Sequence, residues 1–277
     1  MTGEGPAGSY PTSIGTSDRD SITLLGHDLA ADLLGRIGFS ELAFWLIAGQ
    51  RPTPGQARVF ETVLVALADH GLTPTAIATR VTYLSAPDSI QGALAAGLLG
   101  GGSRFLGVTE DTGQFLATAI GALDADPAEL AGWTGEQWDA VAEQAVAGQR
   151  AAGRFVPGLG HPVHRDGDPR TPVIIAIAGV RGSHLRLFEA IGRVHERVLG
   201  RRLPLNGAGV CGAALADAGI PVGLLRGVAL LARTAGLLGH LAEEIRRPIG
   251  MDLYRLVEEH AHYVNPEIDP EIDPEQR

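Results

Sequence analysis

The sequence predicts an all-α protein. Apolar residues recur at helical spacing behind recognisable N-terminal caps, aromatic residues make up only 5% of a chain rich in Ala, Leu and Gly, and sustained period-two alternation is absent. The first element is the clearest: Thr53 can cap, Pro54 suits a first helical turn, and Gln56 occupies the reciprocal capping-box position. Val59, Phe60, Val63, Leu64 and Leu67 then make one apolar stripe, giving a helix within 53–70. Thr134 and Gln137 repeat the cap ahead of Trp138, Val141, Ala145 and Val146. Leu187, Ile191, Val194 and Val198 form a further stripe, while the β-branched run Val173 to Ile177 is the one segment that competes as a strand.

At 277 residues, 45% hydrophobic and 19% charged, the chain has an ordinary globular composition and enough length for one large domain or two modest ones. A formal net charge of -10 opposes nucleic-acid binding, which needs clustered cations, but is compatible with local Arg pockets for small anions. Cys211 is the only cysteine, so no internal disulfide or multi-cysteine metal site is expected; it reads as a small buried hydrophobe in a cytoplasmic protein. Arg233 interrupts the longest apolar stretch, Val222 to Leu241, and no membrane span is expected. Met1 to Thr12 reads as a flexible leading segment, and 266–277, with its doubled Pro-Glu-Ile-Asp, as a mobile acidic tail.

Residues 151–171 resist a helical reading. Gly153, Gly158, Gly160 and Gly167 alternate with Pro157, Pro162 and Pro169, and Arg154, His161, His164, Arg165, Asp166, Asp168 and Arg170 supply polar side chains. So long an irregular stretch is either a ligand loop, its glycines allowing close backbone approach, or a solvated linker. His161 and His164 could begin a metal site, but no Cys or third ligand nearby completes one, so no metal is expected.

The words Val156-Pro-Gly-Leu-Gly-His161 and Asp168-Pro-Arg170 resemble the citrate synthase signature, a Gly-rich loop ending in a catalytic His with Asp-Pro-Arg shortly after. Ala68-Asp69-His70-Gly71, Gly97 to Gly102, Ser103-Arg-Phe105, Pro204-Leu-Asn206-Gly, Arg233 and Gly239-His240 fall in the same order, and together look most similar to the citryl-CoA lyase module that ends ATP citrate lyase. The resemblance implies a large helical dimerisation domain, 1–107 with 204–265, and a smaller helical domain, 108–203, that closes over CoA. It implies a homodimer or higher homo-oligomer acting on an acyl-CoA and a small polycarboxylate or 2-oxo acid, with neither metal nor ATP. His70 and His161 match histidines that hold the substrate oxygens, Arg170 and Arg233 match arginines that clamp its carboxylates, and Asn206 falls among the substrate contacts. Val156, Pro157, Gly158, Leu159 and Gly160 match the backbone that faces CoA. Arg246 and Arg247 align more loosely with a further anion contact.

Such chemistry needs these groups: a guanidinium presents paired donors to a carboxylate, and a His can donate to an oxygen that gains charge. Taken without the resemblance, His70 could simply complement a helix C-terminus and Arg233 could pair with a buried acid. Two family positions depart. The His that bonds the thioester oxygen falls at Gly100, and the Asp that shuttles the α-proton falls at Ala208. Two readings follow: a citryl-CoA lyase-like enzyme in which water, His164 or Asp166 substitutes for that Asp, or a CoA-binding subunit that has lost proton transfer. A helical scaffold without a ligand accounts poorly for the Gly-rich loop.

Overall fold

The structure, a computed structural model, describes residues 10–161, 164–178 and 181–265. The 266–277 tail and most of the leading segment lie outside them. Helix makes up 63% of the described residues. Among the described residues, twelve α-helices run in chain order: α1 (Phe39–Ala48), α2 (Pro54–Leu67), α3 (Pro74–Ser85), α4 (Ile90–Leu99), α5 (Val108–Gly121), α6 (Pro127–Ala131), α7 (Gly135–Ala151), α8 (Arg170–Ile177), α9 (Ser183–Leu199), α10 (Gly207–Asp217), α11 (Leu225–Arg246) and α12 (Gly250–His260). They group into two compact units, Met1–Ala68 with Gly102–Ala232, and Asp69–Gly101 with Arg233–Arg277, and the division falls within α11. This grouping by contact keeps 108–203 together with α1, α2 and α10; it does not address the division by closure and dimerisation expected above.

Both expected capping boxes form. Thr53 and Thr134 each accept from the backbone N–H three residues on, and Gln56 and Gln137 return the bond, an arrangement worth about 1 kcal/mol per helix start. The expected stripes face inward: Val59, Phe60, Val63 and Leu67 on α2, Trp138 and Val146 on α7, and Leu187, Ile191 and Val194 on α9 are buried. At the centre of the first unit lies α10, whose Gly- and Ala-rich sequence lets α2, α5, α8 and α9 pack closely around it. Cys211 on α10 is fully buried, and burial pushes its thiol up to about 12, so it behaves as a hydrophobe.

Three features depart from the sequence reading. Val173 to Ile177 lies in α8: Pro172 falls in the first turn, where no N–H is required, and the helix buries Thr171 and Ile174, one helical turn apart. A small antiparallel sheet, β1 (Gly15–Ser17), β2 (Ile22–Leu24) and β3 (His27–Asp28), precedes the helices. Its strands are too short to show alternation. Their turns carry the signal instead: the Asp18 carboxylate accepts from the N–H groups of Asp20 and Ser21, and Leu25 and Gly26 both take positive φ in the two-residue hairpin loop. Finally, the 25-residue stretch Val222–Arg246 is long and apolar enough, by length and composition, to cross a membrane despite Arg233. Its Leu225, Val228, Ala229, Leu237 and Leu241 side chains are buried in protein, and about a third of its most apolar window is buried in all.

Candidate functional site

In the first unit the glycine-rich loop is tied to the start of α10. The N–H of Gly160 donates to Pro204 O at 2.7 Å, the N–H of Asn206 donates to Gly158 O at 2.9 Å, and Leu159 pairs antiparallel with Leu205. Asn206 is the N-cap of α10: its Oδ1 accepts from Gly209 N at 2.8 Å while its Nδ2 donates to Gly160 O at 2.9 Å. One amide therefore holds both the helix start and the loop. Gly158 has φ +83°, and a Cβ there would lie 2.6 Å from Phe188 Cε2 and 3.1 Å from Thr112 Oγ1, so only glycine fits.

Arg170 is anchored rather than loose. Asp168, whose side chain is wholly buried, accepts on Oδ1 from the N–H and Nε of Arg170, both at 3.0 Å, and on Oδ2 from Arg170 Nη2 at 2.8 Å and Gly207 N at 2.7 Å. Burial alone would raise the Asp168 pKa; the Arg170 fork and the Gly207 N–H outweigh it and hold the carboxyl well below the usual range. Arg170 Nη1 reaches Ala66 O at 3.1 Å. A Cβ on Gly207 would meet Arg170 Nε at 2.6 Å, so this glycine lets the guanidinium lie against the first turn of α10, where half-buried Ala208 sits.

His161 follows the loop. Its Nδ1 accepts the His164 N–H at 2.9 Å, and the two imidazoles lie with centroids 4.5 Å apart, tilted by 34°. An amide N–H only donates, so the neutral ring carries its proton on Nε2, making His161 a donor at that atom. A cavity of about 450 Å³ in this unit is lined by Asp166, Asp168, Thr171, His195, Leu203 and Leu205 among others, but not by His161, Arg170 or Asn206.

His70 and Arg233 belong to the second unit. His70 is exposed in the turn after α2, and Arg233, 4% exposed, places Nη1 3.4 Å from Thr73 Oγ1 at the start of α3. Gly100 ends α4 with helical backbone angles, and a Cβ there would lie 3.2 Å from Thr75 Cγ2. Sequence reasoning missed a buried network in this unit. Arg80, 1% exposed, donates Nη1 to Glu244 at 3.0 Å, bonds the Glu243 carboxylate, and reaches His240 Nδ1. Glu244 also accepts from the N–H groups of Ile249 and Gly250, standing in for the side-chain cap that α12 lacks. The available signal was a pair of opposite charges on two apolar helix faces: Arg80 beside Ala76, and Glu244 beside Leu237 and Leu241.

The sequence matches the citrate synthase C-terminal domain family over residues 12–255. The citryl-CoA lyase of Hydrogenobacter thermophilus superposes with a TM-score of 0.79 at 26% identity, covering 96% of this chain and 98% of that one. ATP citrate lyase from Methanothrix soehngenii, solved in complex with citrate and coenzyme A, shares the fold at 23% identity with a TM-score of 0.72, over 96% of this chain and 43% of that one. Citrate synthase from Deinococcus radiodurans is 28% identical over 212 residues, 72% of this chain but only 50% of its own length, so the chain spans half of that relative. With a family match along most of its length and a helical fold shared with these enzymes, the chain belongs to the citrate synthase family.

Proposed function

We propose that this protein holds an acyl-CoA beside a small polycarboxylate and cleaves, or in reverse forms, the carbon–carbon bond between an acyl-CoA and a 2-oxo acid such as oxaloacetate, in the manner of citryl-CoA lyase. The observation that carries the reading is the start of α10, where Asn206 holds the glycine-rich loop that ends at His161 and buried Asp168 fixes the Arg170 guanidinium beside Gly207. The likeness to citryl-CoA lyase over nearly the whole of both chains supports it.

In this reading the backbone of 156–160 faces CoA, Arg170, Arg233 and Asn206 hold the carboxylates, and His70 and His161 donate to the hydroxyl or ketone oxygen. Cleavage removes the hydroxyl proton and breaks the bond between the carbinol carbon and the α-carbon. The electron pair passes into a thioester enolate, and a proton returns to the α-carbon. His161, with Nδ1 committed to the His164 N–H, acts as the donor that stabilises charge on oxygen. The protons need another carrier, because Ala208 has none; water, His164 or Asp166 are the candidates. A positioned acid or base contributes about 10²- to 10⁴-fold, or about 3 to 5 kcal/mol, so turnover is expected to be slow. Closure of 108–203 over CoA, a homodimer built through 1–107 and 204–265, a cytoplasmic location, and independence from metal and ATP belong to the same proposal.

A second reading is favoured by Ala208 itself: a CoA-binding subunit that no longer moves protons. Acetyl-CoA incubated with the protein in deuterated water separates the two. Exchange of the α-protons, followed by NMR, supports the enzyme. A rise in melting temperature with CoA but no exchange supports the binding subunit, and neither response rejects both.

A further inference from the structure

His70 sits in a turn whose two sides are held by a single carboxylate. Asp69 accepts on Oδ2 from Gly71 N at 2.8 Å, and its Oδ1 lies 2.9 Å from Nε2 of His240 on α11. The far side of that imidazole meets Arg80: Nδ1 is 3.2 Å from Arg80 Nε and 3.1 Å from Nη2. A guanidinium only donates, so Nδ1 must present its lone pair, and the ring proton sits on Nε2, directed at Asp69. Arg80 is in turn buried and fixed by Glu244, which is itself tied to the Ile249 and Gly250 N–H groups at the α11–α12 corner. The restraint thus runs from a rigid, buried ion pair through one imidazole tautomer to the turn that carries His70.

We propose that His240 is a positioning residue: by holding Asp69 in one rotamer it sets the backbone on either side of His70 and hence where the His70 ring points. An Asx turn needs only Asp69 and the Gly71 N–H. The Asp69 side chain is 47% exposed and, left to solvent, would sample other rotamers; the His240 bond removes that freedom. Partial burial works to raise the Asp69 pKa, but the Gly71 N–H and His240 outweigh it and hold the group below its ordinary value, so it stays a carboxylate that accepts both bonds. The consequence for ligand binding rests on the proposed role of His70 toward the polycarboxylate.

The test uses the full chain labelled with 15N-histidine, with citrate as probe. Without ligand, the His240 signals, assigned by their loss in His240→Leu, are expected to show Nε2 protonated and Nδ1 bare, and the His70 signals to shift and broaden in that variant. Calorimetric citrate affinity is expected to fall about tenfold in His240→Leu, and to be largely retained in His240→Gln, whose amide can still accept from Arg80 and donate toward Asp69. An Nδ1–H tautomer, or His70 signals unchanged in His240→Leu, overturns the proposal. Should His240→Leu not fold, Asp69→Asn, a change at a partly exposed side chain, decides by the same His70 response. If the parent protein binds no citrate, the substrate reading of His70 fails, while its spectral response still decides the positioning claim.

Discussion

Asp168→Asn removes the charge that anchors Arg170 while preserving side-chain shape. The parent carboxylate takes four hydrogen bonds, three from Arg170 and one from Gly207 N, and its side chain is wholly buried. In the variant one acceptor oxygen becomes an NH2 facing donors, and a largely buried guanidinium loses its counter-charge. Breaking a buried pair from one side costs about 3 to 5 kcal/mol. Trp45, Trp133 and Trp138, the chain's three tryptophans, all lie in the unit that contains Asp168, so urea unfolding followed by tryptophan fluorescence reads the loss directly. The pH dependence follows from the lowered pKa. Because the folded value lies below the unfolded value of about 3.9, the stabilisation is complete above about pH 5 and is lost as pH falls toward the folded value. The gap between parent and variant should be constant from about pH 5 to 8 and shrink by about 1 kcal/mol by about pH 3. A variant within about 1 kcal/mol of the parent at neutral pH, or a gap that does not narrow in acid, would refute the argument.

Gly158→Ala meets both a left-handed backbone and the Phe188 ring, so it should destabilise the first unit by about 1 to 3 kcal/mol and abolish the melting-temperature gain with CoA; a neutral effect on both would remove the loop from the account. Glu244→Gln weakens the buried Arg80 pair and the cap of α12, and should loosen the second unit by about 3 kcal/mol, read as faster hydrogen exchange in α12. Burial works to raise the Glu244 pKa, but the Gly250 and Ile249 N–H groups and Arg80 overcome it and hold the carboxyl below its ordinary value, so this stabilisation too is present at neutral pH and lost in acid. Ala208→Asp restores a carboxylate in the first turn of α10 and should raise any citryl-CoA turnover by about 10²- to 10⁴-fold; an unchanged rate would show that proton transfer runs through another group.

The helices were legible wherever local chemistry is strong. Thr53 with Gln56 and Thr134 with Gln137 announce their helix starts, and the stripes on α2, α7 and α9 identify the buried faces. The irregular loop was legible for the complementary reason, since its glycines and prolines forbid a regular element. Other features depend on partners far away in the chain. Arg80 and Glu244 are 164 residues apart, and nothing local says that a charge on each apolar face finds the other. The β-branched run of α8 illustrates the opposite limit, where burial of Thr171 and Ile174 on one helical face outweighs β-propensity. In the sequence Asp168 is a polar residue of the loop and the first of the Asp-Pro-Arg word; only the fold shows it receiving the Gly207 N–H across 39 residues of sequence and so joining the loop to α10.

The most direct test of the central claim is incubation of the purified protein with citryl-CoA, following acetyl-CoA and oxaloacetate by mass spectrometry, with His161→Ala alongside. Slow formation of both products by the parent, and none by the variant, is expected. No product from a parent protein that demonstrably binds CoA, or equal product from parent and variant, would contradict it.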